Sequence, residues 1–354
     1  MELQQLLTET AQRKASDLHL KPGSKPILRI HGHLEVQDDL PQVTREFIDA
    51  MAKTLLGERR LNMLMEGREM DLGYMLPGIG RFRCNLFLAM GEVRGVFRHV
   101  PERIPAFHEL HLPKVLERLS MERRGMILVT GITGSGKSTS LASMIDFMNR
   151  SRNDHIVTIE DPIEFAHRSQ GCLVTQREIG TDSRCFSNAL RSVLRQDPDF
   201  ILVGEMRDLE TIEAALVLAE TGHLTFGTLH TSDAVQTINR IIDVFPAHQQ
   251  QQVRTQLSFT LEAVFCQQLL PAAAGHGRVL AAEIMLANPA IRALIREGKG
   301  HQIYSQIQTG ARLGMNTMSA WLANLVRSGK LRLEDAEEAV SDPNEFRMML
   351  KGAA

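Results

Sequence analysis

The stretch Gly131-Ile-Thr-Gly-Ser-Gly-Lys-Ser138 decides the fold of this chain, because it matches the pattern G-x-x-x-x-G-K-[ST] at every position. The apolar run 126–129 before it predicts a buried strand, and 139–148 after it predicts a helix with one apolar side. A strand, a glycine-rich loop and a helix form a phosphate site, since the loop N–H groups and the positive end of the helix point at the anion. The sequence therefore predicts a nucleoside triphosphate site inside an α/β domain.

The loop itself supplies most of the predicted binding residues. Lys137 would reach the β- and γ-phosphates, and the Ser138 hydroxyl would ligate Mg²⁺. ATP and Mg²⁺ are therefore the expected cofactors. The full set of predicted nucleotide-binding residues is Gly131, Thr133, Gly134, Ser135, Gly136, Lys137, Ser138 and Thr139.

Bulk composition excludes several classes of protein. The chain has 354 residues, a net charge of −2 and 23% charged residues, which suits a globular protein of two domains and argues against bulk nucleic-acid binding. Its four widely spaced cysteines predict neither a disulfide framework nor a zinc site. The polar N-terminus is unlike a signal peptide, and no apolar run is long enough to span a membrane. We therefore expect a cytoplasmic protein without a direct nucleic-acid partner.

The pattern along the chain predicts two domains. Residues 1–100 suggest a small mixed domain, and the three prolines between 101 and 114 suggest a linker. From 115 onward, short apolar strands at 126–130, 156–159, 200–203 and 224–228 alternate with helices, which is typical of a mainly parallel sheet. From about residue 248 to 354 the pattern predicts an almost entirely helical region.

Three further strands of the second domain end in polar residues. Glu160 and Glu164 follow the strand at 156–159 and would hold Mg²⁺, partly through water, and Glu164 would also act in catalysis by helping to orient the attacking water. Glu205 follows the next strand and would polarise that water. His230, after the last of these strands, would sense the γ-phosphate. The alternatives are an acidic turn, a Glu205 that pairs only with Arg207, and a structural histidine.

Taken together, these four elements resemble the secretion ATPase superfamily, which powers type II secretion and type IV pili. The segments 207–215, 218–223 and 290–297 are similar to its pilus-retraction branch, although Ala293 stands where that branch usually has Asn. The resemblance extends from about residue 16 to about residue 331. It implies a PAS-like α+β domain followed by a RecA-like P-loop ATPase domain with a helical C-terminal part.

The resemblance also implies partners and further site residues. Members of the superfamily form hexameric rings, so we expect a homohexamer that acts on an inner-membrane platform protein (PilC-like) from the cytoplasmic side. A PilU-like paralogue is a further partner that the resemblance implies. Matching arginines of the small domain approach the phosphates, which assigns that catalytic role to Arg81, Arg83 and Arg98; a solvated basic strand face is the alternative. In the retraction branch the segment 290–297 is needed for retraction, which implies a coupling role for Arg292, Arg296 and Glu297.

Other functions remain open at this point. A PilU-like accessory retraction ATPase, a type II secretion or DNA-uptake ATPase and a conjugative DNA-translocating ATPase share the same motifs. A nucleotide-binding subunit without motor activity is a further alternative, although Glu205 argues against it. The sequence has neither the tetracysteine motif nor the large extra N-terminal domain of pilus assembly ATPases, which favours retraction over assembly.

Overall fold

The protein is described here by a computed structural model covering residues 2–30, 32–100 and 103–351. These residues form two compact units. The first unit spans the chain up to Arg103 and also includes Pro162–Ala166 and Glu178–Arg184; the second holds the other described residues. Residues 101 and 102 of the expected linker lie outside the described residues.

The first unit is an antiparallel sheet with helices. Its elements are α1 (Leu3–Gln12), β1 (Asp17–Leu20), β2 (Ile27–Ile30), β3 (His33–Val36), α2 (Arg45–Met65), β4 (Met70–Leu76), β5 (Gly80–Ala89) and β6 (Glu92–Val100), and the sheet order is β3-β2-β1-β6-β5-β4. Alternate residues of β5, Phe82, Cys84 and Leu86, are fully buried in the core, as their period of two predicts.

The second unit is built on a seven-stranded sheet of order β13-β12-β7-β11-β10-β8-β9. Its strands are β7 (Gly125–Thr130), β8 (His155–Glu160), β9 (Leu173–Glu178, whose last residue belongs to the first unit), β10 (Phe200–Val203), β11 (Leu224–Leu229), β12 (Leu261–Pro271) and β13 (Arg278–Leu286). Its helices are α3 (Val115–Ser120), α4 (Lys137–Ser151), α5 (Phe186–Val193), α6 (Leu209–Glu220), α7 (Ala234–Asp243), α8 (Ala247–Thr260), α9 (Pro289–Arg296), α10 (Ile303–Thr309), α11 (Met318–Arg327), α12 (Leu333–Ala339) and α13 (Pro343–Lys351).

Five neighbouring strands of this sheet, β12, β7, β11, β10 and β8, run parallel. Every residue of β7, β10 and β11 is buried, which explains why the sequences of these strands are mostly continuous apolar runs. Because parallel strands end at the same edge, the polar residues that follow β7, β11, β10 and β8 meet there in that order. The predicted α/β fold class, with a RecA-like second part, is confirmed.

The prediction that the region from residue 248 onward is almost entirely helical was wrong. Strand β12 continues directly from α8 at Leu261, and β13 pairs with it in antiparallel register from Ala263↔Leu286 to Pro271↔Arg278. No glycine or proline marks the change from helix to strand, and a strand buried on both faces lacks the alternation that would reveal it. No helix within the described ranges is long and apolar enough to cross a membrane.

Candidate nucleotide and hydrolysis site

The loop between β7 and α4 has the geometry of a phosphate cradle. Gly131 has a φ of +142°, and a Cβ there would lie 2.3 Å from the carbonyl oxygen of Gln267, so the position admits only glycine. Lys137 folds back over the loop and donates to the carbonyl oxygens of Gly131 at 2.6 Å and Ile132 at 3.1 Å. The ammonium group therefore lies where the loop curves, beside the N-terminus of α4.

A residue that the sequence analysis missed holds this loop in place. Gln267 of β12 is 3% exposed, and its side-chain amide donates to the carbonyl oxygen of Ser135 at 2.6 Å. From β13, Arg278 donates to the Gly134 carbonyl at 3.4 Å. The available signal was a glutamine within the apolar run 263–270, but that run was interpreted as helix.

The residues present fit a bound nucleoside triphosphate and its magnesium ion. Gly131 gives the backbone a close approach that any side chain would block, and Lys137 contributes a positive charge to the same loop. Ser138 lies half-buried in the first turn of α4, where its hydroxyl suits a magnesium ligand. Among the described residues no group of three or more His, Cys, Asp or Glu side chains is placed to hold a metal ion.

The position of Glu205 is fixed by backbone packing and hydrogen bonds between the ends of β8, β10 and β11. A Cβ on Gly204 would lie 2.9 Å from the carbonyl oxygen of Ile159, so β10 and β8 approach closely only because residue 204 is glycine. The Thr228 hydroxyl of β11 donates to the Gly204 carbonyl, and the Met206 amide donates to the Thr228 carbonyl at 3.0 Å. These bonds fix the backbone on both sides of Glu205.

The Glu205 carboxylate is 19% exposed and has two cationic or polar neighbours. The Arg207 guanidinium donates to it, and Nε2 of His230 lies 2.8 Å from the same oxygen. Burial alone would raise the pKa of Glu205, but the hydrogen bond and charge of Arg207, together with His230, outweigh burial and lower this pKa below its usual value. Glu205 is therefore ionised at neutral pH, in the form that can orient or deprotonate water.

This balance predicts a pH effect for Arg207→Met. Removing Arg207 leaves the desolvation of Glu205 in place, so the pKa of Glu205 should rise and the acid limb of ATP turnover should move toward neutral pH. Arg207 is 76% exposed, so the fold should be preserved. Steady-state turnover from pH 5 to 8 measures the shift. Arg332→Met, which removes the partner of Asp335 and is likewise mostly exposed (59%), should leave the profile unchanged. Identical profiles for wild type and Arg207→Met would contradict the assignment.

The other carboxylates lie in different parts of the molecule. Glu160 ends β8 in the second unit, where its carboxylate accepts from the Thr158 hydroxyl at 2.6 Å and the Gln176 amide at 3.1 Å. Glu164 is exposed and belongs to the first unit, in the segment 162–166. Within the second unit, the structure thus brings the 131–138 loop, Glu160, Glu205 and His230 to one edge of the sheet.

The three arginines of the first unit are less alike than the sequence suggested. The alternation of apolar and polar residues along β5 predicts a solvent-facing position for Arg81, but its side chain is only 17% exposed and forms an ion pair with the buried Glu178. Arg83 and Arg98 are 39% and 64% exposed. Arg98 donates to Asp17 at 2.8 Å. Alternation along a strand predicts the face of a side chain, but not whether a distant segment covers that face.

Helix α9 carries two of the predicted coupling residues, Arg292 and Arg296, and the third, Glu297, follows directly after it. Asn288 caps it by accepting from the Ile291 amide at 2.9 Å. The four-residue spacing of Arg292 and Arg296 predicts that both lie on one exposed face of the helix. This was wrong for Arg292, whose side chain is 22% exposed and forms two hydrogen bonds with Glu262, at 2.9 and 3.0 Å. It also donates to the last carbonyls of α8. The guanidinium of Arg296 lies 5.7 Å from the ring centre of Phe259, a cation–π contact, and Glu297 forms an ion pair with Lys299 at 2.7 Å.

Comparisons with known proteins agree with this arrangement. Residues 106–337 match the family described as "Type II/IV secretion system protein". The chain is 47% identical to the type IV pilus retraction ATPase PilT of Pseudomonas aeruginosa, over 98% of this chain and 100% of that protein. It is 38% identical to the type IV pilus ATPase PilU of the same organism, over 99% of this chain and 92% of that one. A crystal structure of the pilus retraction motor PilT with bound ADP superimposes with a TM-score of 0.90 at 46% identity, covering 98% of both chains. The chain belongs to the type II/IV secretion system protein family and, within it, is similar over nearly its whole length to the pilus retraction ATPases.

Proposed function

We propose that this protein hydrolyses ATP to drive retraction of type IV pili. The observation that carries the proposal is the Glu205 carboxylate, kept ionised by Arg207 and His230 at the sheet edge that also presents the 131–138 loop. A protein that only bound nucleotide would have no need of such a group. The 47% identity to a pilus retraction ATPase supplies the physiological context.

The residues divide the chemistry between binding and hydrolysis. The N–H groups of the loop and the Lys137 ammonium bind the phosphates, and Ser138, with Glu160 through water, holds Mg²⁺. A bound magnesium ion neutralises charge on the phosphate oxygens. Glu205 orients the water that attacks the terminal phosphate, and His230, hydrogen-bonded to Glu205, links the state of that site to the start of α7.

Several residues of the first unit contribute in the same proposal. Glu164 acts as a second carboxylate at the magnesium site. Arg83 and Arg98 stabilise phosphate charge, a contribution that can reach roughly 10³–10⁵ in rate. Their exposed side chains are compatible with that role.

Mechanical coupling would use helix α9 and a ring of subunits. We assign a homohexamer that acts on an inner-membrane platform protein from the cytoplasmic face, with α9 as part of the coupling surface. Phe259 is 67% exposed beneath Arg296, which gives this surface an aromatic and a cationic group side by side. An accessory PilU-like role is the second candidate, and the lower identity of 38% to PilU makes it the weaker one.

Deletion of the gene in the organism of origin tests the direction of action. We expect abundant pili that do not retract and a loss of twitching motility, because assembly would continue while retraction stops. Loss of pili would instead indicate assembly, and normal twitching would indicate an accessory role. Complementation with Arg296→Ala separates coupling from hydrolysis: ATP turnover of the purified variant should stay within about twofold of wild type, since α9 is outside the hydrolysis site, while retraction should not be restored.

A further inference from the structure

Glu178 is a buried carboxylate that none of the nucleotide motifs includes. It lies in the segment 178–184, which, like 162–166, belongs to the first unit although the chain reaches both segments from strands of the second unit. Its side chain is 2% exposed. A charged group at such a depth requires several partners.

Four groups donate to the Glu178 carboxylate. One oxygen accepts from the Gly73 amide at 3.0 Å and the Thr181 hydroxyl at 3.3 Å. The other accepts from the Ile163 amide at 3.1 Å and from the Arg81 guanidinium. One carboxylate therefore ties together β4, β5 and both returning segments. Charge-assisted bonds of this kind are among the stronger contacts in a protein interior.

Strand β4 is shaped to admit this contact. Gly73 lies in the middle of β4, and a Cβ there would be 2.0 Å from Nη2 of Arg81. The Arg81 side chain can cross β4 to reach Glu178 only because residue 73 has no side chain. In addition, Arg60 of α2 donates to the Gly180 carbonyl, so the segment 178–184 is held at two places.

The Ile163 amide connects this contact to Glu164. Ile163 is 5% exposed, and Glu164, the next residue, is exposed. Fixing the Ile163 amide fixes the backbone that directs the Glu164 carboxylate. We propose that Glu178 and Arg81 are positioning residues that attach Glu164 to the first unit, so that this carboxylate moves with the first unit and not with the 131–138 loop. In this proposal Arg81 positions Glu164 through Glu178 and does not contact the phosphates.

The catalytic part of this inference rests on the proposed ATP hydrolysis, whereas the attachment itself can be measured without it. In the full-length protein, Glu178→Gln should speed hydrogen exchange of the amides in 162–166 by about tenfold, because a charge-assisted acceptor is lost. Glu337→Gln, which alters an exposed ion pair with Arg347, is the matched control and should change nothing. Unchanged exchange in 162–166 would overturn the attachment whatever the ATPase result.

Kinetics then test the link to Glu164. Glu178→Gln should lower kcat about tenfold with KM for ATP within about twofold, and it should cost nothing further when added to Glu164→Ala, since residues that act through one group are not additive. If the kcat of the double variant Glu164→Ala/Glu178→Gln is reduced by the product of the two single reductions, the positioning role is overturned. If wild type itself shows no ATP hydrolysis while the exchange effect is present, the proposed function fails and the attachment stands.

Two further variants test the proposal even if Glu178→Gln does not fold. Gly73→Ala changes no charge but displaces Arg81, and it should reproduce the faster exchange in 162–166 and the lower kcat. Arg81→Lys keeps the charge and should recover part of what Arg81→Gln loses. Failure of Gly73→Ala to affect 162–166 would contradict the proposal even if Glu178→Gln does not fold.

Discussion

Replacing Lys137 by alanine should abolish measurable ATP binding. The side chain provides the ammonium charge of the loop, and it lies 2.6 Å from the Gly131 carbonyl, inside the curve that the phosphates would enter. Losing a charged hydrogen bond to phosphate weakens binding by roughly 1.5–3 kcal/mol, and with the loop left short of positive charge we expect at least a ~100-fold rise in Kd. Titration with a fluorescent ATP analogue measures the Kd of the variant and of the wild type.

The control for this experiment is a lysine that forms an ordinary surface ion pair. Lys25 lies 3.0 Å from Asp38, whose side chain is 84% exposed, and Lys25→Ala should bind ATP like the wild type. Thermal unfolding without nucleotide checks that Lys137→Ala keeps its fold. Binding of Lys137→Ala within threefold of wild type would remove the loop from the proposed mechanism.

Replacing Glu205 by glutamine should leave ATP binding intact and slow hydrolysis. Glutamine keeps the shape and can still accept from Arg207, but it cannot take a proton and orients water less strongly. Positioned carboxylates of this kind typically contribute about 10²–10⁴ in rate. Single-turnover hydrolysis separates the chemical step from product release and is therefore the measurement of choice.

The pKa of Glu205 adds a pH criterion to this experiment. Because the folded protein lowers that pKa, wild-type turnover should have no acid limb from Glu205 at neutral pH, and its ionised form contributes stability that is lost only as the pH falls through the lowered value. The deficit of Glu205→Gln should therefore stay constant between pH 6 and 8. Equal turnover in the variant and the wild type would refute the role of Glu205, and a deficit that shrinks as the pH falls from 8 to 6 would refute its ionised state.

Much of the hydrolysis site could be predicted because its parts are local in sequence. The loop at 131–138 carries strand, turn and helix in one continuous stretch, and the residues after β8, β10 and β11 follow buried apolar strands. Parallel strands end at one edge, so a correct strand prediction suffices to bring Glu160, Glu205 and His230 near the loop. Strand β5 of the first sheet also shows a local signal, since its buried residues alternate with a period of two.

Sequence by itself therefore determined the α/β class, the phosphate loop and the identity of the strand-end residues. Tertiary structure decided which side chains are held, and by what. Glu178 binds Arg81 across 97 residues, and Gln267 supports Ser135 across 132. The physical reason is that a local pattern reports the face of an element, whereas burial of a charge and the choice of its partner depend on segments that only folding brings together. That is why Arg81 and Arg292, which the pattern placed in solvent, are instead ion-paired within the protein.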